Sequence, residues 1–253
     1  RGDRREGSVA GRLVLAGALA VLPVLVLIGW FARRNARRDV PLALLGTFVL
    51  GFLAAFPAIA LVAVASLTST SSPWLAAAVG AFALTAIPEE VLKLLVVHVY
   101  SVRRPGLRDA SDGLVYGITA ALGFGTLENA LYVIQGGWLA AVLRAVTAVP
   151  INAATGAMLG YGVVRARLTP DDRGVLSRCL TAAILVHGTY DFTLIATALT
   201  PRMGTAAGIG RVLFPAVACA TLVGAVGWVV RTARRLRRAT SLRSSPAGST
   251  PDR

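Results

Sequence analysis

Three of the four glutamates in this chain, Glu89, Glu90 and Glu128, lie inside long apolar runs. Lys93, Asn129, Arg144, Asn152, His187 and Asp191 do the same. A charged side chain at mid-membrane costs about 2.5–3.5 kcal/mol, so such residues mark function by default. Their spacing pairs them. Glu89 and Glu90 stand four and three residues before Lys93, and His187 stands four before Asp191, the separations at which helix residues share a face. Lys93 is the only lysine among twenty-six Lys and Arg residues, so this site calls for a compact ammonium, or for a cation whose pKa can move, rather than a guanidinium. It would neutralise one carboxylate of the Glu pair. The other, desolvated and beside a like charge, suits a general base. Asp191 would hold the His187 ring in one tautomer.

The elements that must position these groups are membrane spans. The chain has 253 residues, 55% hydrophobic and 15% charged, where a soluble domain carries about 25% charged. Its mean hydropathy is +0.68. Seven apolar runs are long enough to cross a bilayer, at roughly 13–32, 41–67, 74–100, 113–135, 138–164, 175–199 and 206–230. The fold class expected is therefore all-α, a polytopic transmembrane helix bundle. Pro150 predicts a kink or break in the fifth span. The chain divides into an N-terminal segment (1–12), a membrane-embedded domain (13–230) and a basic, disordered cytoplasmic tail (231–253). It opens on Arg1 rather than Met, as a trimmed or mis-assigned N-terminus would. The run Leu13–Ala32 reads as a retained helix rather than a signal peptide.

The net charge of +14 does not point to nucleic acid. The arginines cluster at span ends: Arg33, Arg34, Arg37 and Arg38; Arg103, Arg104 and Arg108; Arg165, Arg167, Arg173 and Arg178; then Arg231, Arg234, Arg235, Arg237 and Arg238. The alternate loops are nearly bare. With seven spans every cluster falls on one side, which places the C-terminus in the cytoplasm and the N-terminus outside. Arg1, Arg4, Arg5 and Arg12 dissent. Cys179 and Cys219 read as small packing residues.

Counting 1.5 Å per residue from the arginine-rich ends, Glu89 and Glu90 lie about 15–17 Å deep, His187 and Asn152 about 18–20 Å, and Glu128 and Asp191 about 23 Å. Taken singly, each polar residue has a structural reading. Glu89–Lys93 would be an ion pair locking helices, and His187 a hydrogen-bonded packing residue. Arg144, near the outer end of its span, would snorkel. His98 would sit at the interface, and Asp112 would cap the fourth span. Those readings do not explain four helices agreeing on one depth.

These residues resemble a family. Glu89-Glu90-Val-Leu-Lys93 looks like the EExxK motif of the PrsW-type intramembrane proteases, relatives of the CAAX-protease and bacteriocin-processing superfamily. Phe124-Gly-Thr-Leu-Glu128-Asn129, behind Asp112-Gly-Leu-Val-Tyr-Gly, is similar to the second motif, and His187-Gly-Thr-Tyr-Asp191-Phe192 to the last. One departure stands out. After Arg144 and the Val-Pro150 step, family members tend to carry His where this chain has Asn152. The resemblance implies hydrolysis of peptide bonds within a bacterial cytoplasmic membrane. Glu89, Glu90, Lys93, Glu128, Asn129, His187 and Asp191 would be the catalytic set, with Asn152 and Arg144 at the substrate or oxyanion. The partners implied are membrane lipid and a membrane-anchored protein substrate, best known as an anti-sigma factor, with no nucleic acid. Zn²⁺ is the candidate cofactor, with Glu128 and His187 as ligands and Asn152 as an unusual third. Two other classes use similar residues. A proton- or cation-coupled transporter would show inverted repeats, and none is evident. A catalytically weakened paralogue acting as a membrane binding protein would draw its support from Asn152.

Overall fold

The computed structural model describes residue 11 and residues 39–65, 72–104, 107–172, 174–201 and 206–244. The run expected to form the first span therefore lies outside the described residues, as do most of the N-terminal segment and the last nine residues of the tail. The described chain contains no strand. Its α-helices are α1 (Asp39–Ala65), α2 (Pro73–Ala78), α3 (Ile87–Leu95), α4 (Ala110–Val146), α5 (Ala148–Leu168), α6 (Val175–Leu199) and α7 (Ala207–Ser244). Six stretches among them are long and apolar enough to cross a membrane: Val40–Ala63, Pro73–Arg103, Ala110–Gly137, Leu139–Leu168, Val175–Leu199 and Ala207–Ala239. They correspond to the six later expected spans. The last runs longer than expected, because α7 continues through the arginine cluster to Ser244. Residues 231–244, expected to be irregular, are helical.

The span Pro73–Arg103 is not a uniform helix. Ser72 caps it, its hydroxyl accepting from the Leu75 amide at 3.4 Å, and Pro73 opens it where a missing N–H costs nothing. Then α2 widens into a π-helical stretch, Val79–Ala86, before α3; a second π-helical stretch, Val96–Tyr100, follows. Pro88 explains the first widening. Its ring would collide with the carbonyl four residues back in an ordinary α-helix, and a looser winding before it removes that clash. The Glu pair and Lys93 thus sit on two α-helical turns between wider segments.

The helix α4 opens with a reciprocal cap. Asp109 accepts from the Ser111 and Asp112 amides at 2.7 and 3.0 Å, and Asp112 accepts back from the Asp109 amide at 3.3 Å. The N-cap is therefore Asp109, and Asp112 is its third-position partner rather than the cap itself. Further along, Gly137 takes φ 68° and ψ −159°, a conformation open essentially to glycine alone. The chain reverses there on one residue, so that span five runs back along span four. The break in span five falls at Thr147 (φ −124°, ψ −68°) rather than at Pro150, which occupies the first turn of α5. A first-turn proline gives up an amide that would have no helical partner anyway.

Spans four and five meet backbone to backbone. A Cβ at Gly117 would strike the Gly156 carbonyl, and one at Gly160 would strike that of Gly113. Gly51 of α1 and Gly123 of α4 are equally constrained, against Ala120 and Phe48. In lipid, where apolar surface alone does not drive helices together, small residues allow this close approach and the dispersion gain it brings. The polar residues of α4 and α5 are held at fixed separation as a result.

Candidate active site

The helix α3 turns Glu89, Glu90 and Lys93 inward. All three are buried, Glu90 and Lys93 to 0% exposure. Lys93 Nζ donates to Glu90 Oε1 at 2.9 Å, to Glu89 Oε2 at 3.4 Å, and across to Asn152 Oδ1 of α5 at 2.5 Å. Three donors meet three acceptors, as a buried ammonium requires. The Phe124 ring of α4 lies over the same nitrogen, its centroid 4.6 Å away.

From α6, His187 enters with its two nitrogens on different partners. Nδ1 lies 2.7 Å from Glu90 Oε1. Nε2 lies 3.3 Å from Asp191 Oδ2 and 3.8 Å from Glu89 Oε2. Both ring nitrogens thus face carboxylates, Nδ1 that of Glu90 and Nε2 those of Asp191 and Glu89. The structure thereby separates the Glu pair. Glu90 holds one edge of the ring, while Asp191, expected to hold it, lies on the opposite edge together with Glu89. Thr155, one turn after Asn152, also donates to Glu90 Oε1, at 3.2 Å. Glu90 Oε2 is buried with no protein partner.

The third arm comes from α4 and the segment after the Gly137 reversal. Arg144 donates through Nε to Asn129 Oδ1 at 2.6 Å and through Nη2 to Glu128 Oε2 at 3.3 Å. Its guanidinium stacks 4.0 Å from the centre of the Tyr132 ring. Arg144 does not snorkel outward. It is turned into the site because the one-residue reversal carries it back opposite Asn129. Asn152 Nδ2 lies 3.5 Å from Glu128 Oε2 and completes the link. All nine sequence-expected residues therefore belong to one connected network. Cys179, His98 and Cys219 do not join it. Thr155 was missed by sequence reasoning, although its place three residues after Asn152 on one helix face would have pointed to it.

Part of this network opens on a cavity of about 330 Å³. Glu128, Arg144, Asn152, His187 and Asp191 are on its wall, with Thr85 and Tyr190 as further hydroxyls. Glu89, Glu90 and Lys93 stand behind that wall. The amide of Asn152 is oriented by this layering: Lys93 takes its oxygen, so the NH₂ group faces Glu128 and the cavity. That suits donation to an oxyanion and turns the amide oxygen toward Lys93, away from the cavity. The expected ligand set of Glu128, His187 and Asn152 does not fit this arrangement. Among the described residues no cluster of three or more His, Cys, Asp or Glu is disposed around one metal-sized point, and the Lys93 ammonium already lies between the two carboxylates of α3.

Comparison with known proteins places these residues in a wider context. Residues 40–222 match the family model described as PrsW family intramembrane metalloprotease. The Protease PrsW of Geobacillus kaustophilus is 30% identical over 187 residues, covering 73% of this chain and 80% of that protein. The Protease PrsW of Shouchella clausii is 36% identical over 115 residues, 45% of this chain and 54% of the relative. That of Bacillus subtilis is 37% identical over 110 residues, 43% of this chain and 50% of the relative. The chain thus spans about half the length of these last two relatives. No solved structure matches.

Proposed function

Since the chain belongs to the PrsW family of intramembrane metalloproteases, we propose that it is an intramembrane peptidase whose site opens, at His187 and Asn152, on the cavity between α4, α5, α6 and the span that carries α3. The observation that carries this reading is His187. Its Nδ1 is pinned by the fully buried Glu90 at 2.7 Å, and its Nε2 edge is flanked by Asp191 and Glu89. A ring so held is fixed in orientation, which is what proton transfer at a defined point needs.

In this proposal a water sits against the Nε2 edge. Glu89, the member of the pair on that side, takes its proton as the oxygen attacks the scissile carbonyl carbon. The same proton passes to the leaving nitrogen as the C–N bond breaks. Asn152 donates its NH₂ to the oxyanion, a contact of about 3 kcal/mol in comparable sites. Lys93 keeps two carboxylates and the amide in register, Glu90 positions His187, and Arg144 balances Glu128 beside the substrate. No step here is routed through a metal, because the donors do not fit one as they stand.

The substrate we assign to it is a membrane-anchored protein, and its role the regulated cleavage of a membrane-anchored anti-sigma factor. The location is a bacterial cytoplasmic membrane, with the arginine-rich span ends in the cytoplasm. Co-expression with a tagged membrane-anchored substrate tests the site. Glu89→Gln, Glu90→Gln and His187→Ala should each abolish the cleaved product on an immunoblot. Intact cleavage in all three would refute the assignment.

A further inference from the structure

A second cavity, of about 430 Å³, lies at the arginine-rich ends of the spans and has no part in the network above. Its floor is apolar: Val102, Val163, Ala166 and Leu176. Its charged lining is cationic only, with Arg103 and Arg167, and His98 beside them. Arg103 is the last residue of one candidate span, Arg167 the last but one of another, and Leu176 the second of a third, so the cavity sits where hydrocarbon gives way to headgroups. Arg167 is held in place, donating from Nη1 to the Val102 carbonyl at 2.7 Å. Among the described residues no carboxylate pairs with Arg103 or Arg167.

We propose that this cavity binds one anionic phospholipid, its phosphate between Arg103 and Arg167 and the start of an acyl chain against the Val102–Val163–Leu176 floor. Two arguments support it. Basic pockets between spans favour anionic headgroups, each Arg adding to the attraction. A soluble anion would also gain nothing from an apolar floor, whereas a lipid fills both parts at once. The site is distinct from the arginine cluster of α7, which would attract anionic headgroups at the membrane surface without an apolar floor.

The test uses the full chain, purified in detergent and stripped of lipid, then titrated with phosphatidylglycerol, with phosphatidylcholine of the same acyl chains, or with inorganic phosphate. Bound lipid is read by native mass spectrometry and stability by thermal unfolding. One phosphatidylglycerol should be retained per chain and raise Tm saturably. Phosphatidylcholine should bind roughly tenfold or more weakly, and the Arg103→Gln/Arg167→Gln double variant should weaken phosphatidylglycerol binding to a similar degree. Neutralising the five arginines from Arg231 to Arg238 should leave the retained lipid in place. Equal binding of the two lipids, saturation by phosphate alone, or full binding by the double variant would overturn the proposal. Should that variant fail to fold, a photoactivatable phosphatidylglycerol on the unaltered protein decides. Labelling of residues 96–103 and 163–176 supports the site, and labelling confined to 231–244 refutes it.

Discussion

Replacing Lys93 by Met should do more than stop catalysis; it should loosen the fold by a calculable amount, and a second substitution should restore part of the loss. Met preserves most of the volume of the lysine stem, so the change removes a charge and its hydrogen bonds rather than opening a large void. What remains are two buried carboxylates, Glu89 and Glu90, and an amide oxygen, all of which had the ammonium within 3.4 Å. Removing one partner of a buried ion pair costs about 3–5 kcal/mol, because the other charge is left uncompensated. For a chain of this size each kcal/mol moves Tm by about 2–4 °C, so the loss should be roughly 6–20 °C. Neutralising the nearer carboxylate as well, in Lys93→Met/Glu90→Gln, removes one of the two uncompensated charges and returns the cluster to its original net charge. A pair replaced as a whole is often close to neutral, and the double variant should recover at least half of the drop while remaining inactive. Thermal unfolding of the three proteins in one detergent, followed by intrinsic tryptophan fluorescence, measures this. A single variant within 2 °C of the parent, or a double variant no better than the single, would refute the assignment of Lys93 as the counter-charge of the cluster.

Asn152→Asp should lower kcat for a co-expressed or reconstituted substrate by about 100-fold or more, since the donor facing the cavity becomes a second carboxylate beside Glu128. Its Tm should fall little, because the oxygen that Lys93 needs is retained. Gly117→Leu should cost more than about 3 kcal/mol, as the added carbons meet backbone that cannot give way; loss of a protease-resistant membrane core is the readout. Elemental analysis of purified protein should find less than one tightly held zinc per chain, unchanged by His187→Ala. A full equivalent that disappears in the variant would mean that the cluster rearranges around a metal.

Much of this was open to reading in the sequence because it is local. The Glu89–Lys93 and His187–Asp191 pairs follow from a 3.6-residue turn, and both form. The spans follow from hydropathy, and five of the six seen begin and end within about four residues of expectation. What escaped depends on packing between helices. That Glu90 rather than Asp191 makes the short contact to His187 is set by how α3 and α6 face each other. That Arg144 turns inward is set by one glycine at φ 68° seven residues earlier. The orientation of the Asn152 amide is fixed by a lysine 59 residues away in the chain. The span break fell at Thr147 because a proline is tolerated within a first helical turn, so its presence marks a helix start as readily as a kink.

The reversal at Gly137 also bears on how a substrate segment can get in. Spans four and five are joined there with no slack, and further along their length they touch glycine to glycine. Those two helices form a single rigid jaw, and Glu128, Arg144 and Asn152 ride on it together. On the proposed function, a lateral opening for a transmembrane segment would come from the opposing walls, on the side of Thr85 and of Leu194 and Ile195. Thr85 lies in the π-helical stretch Val79–Ala86, where that wall departs from the α-helical winding on either side of it.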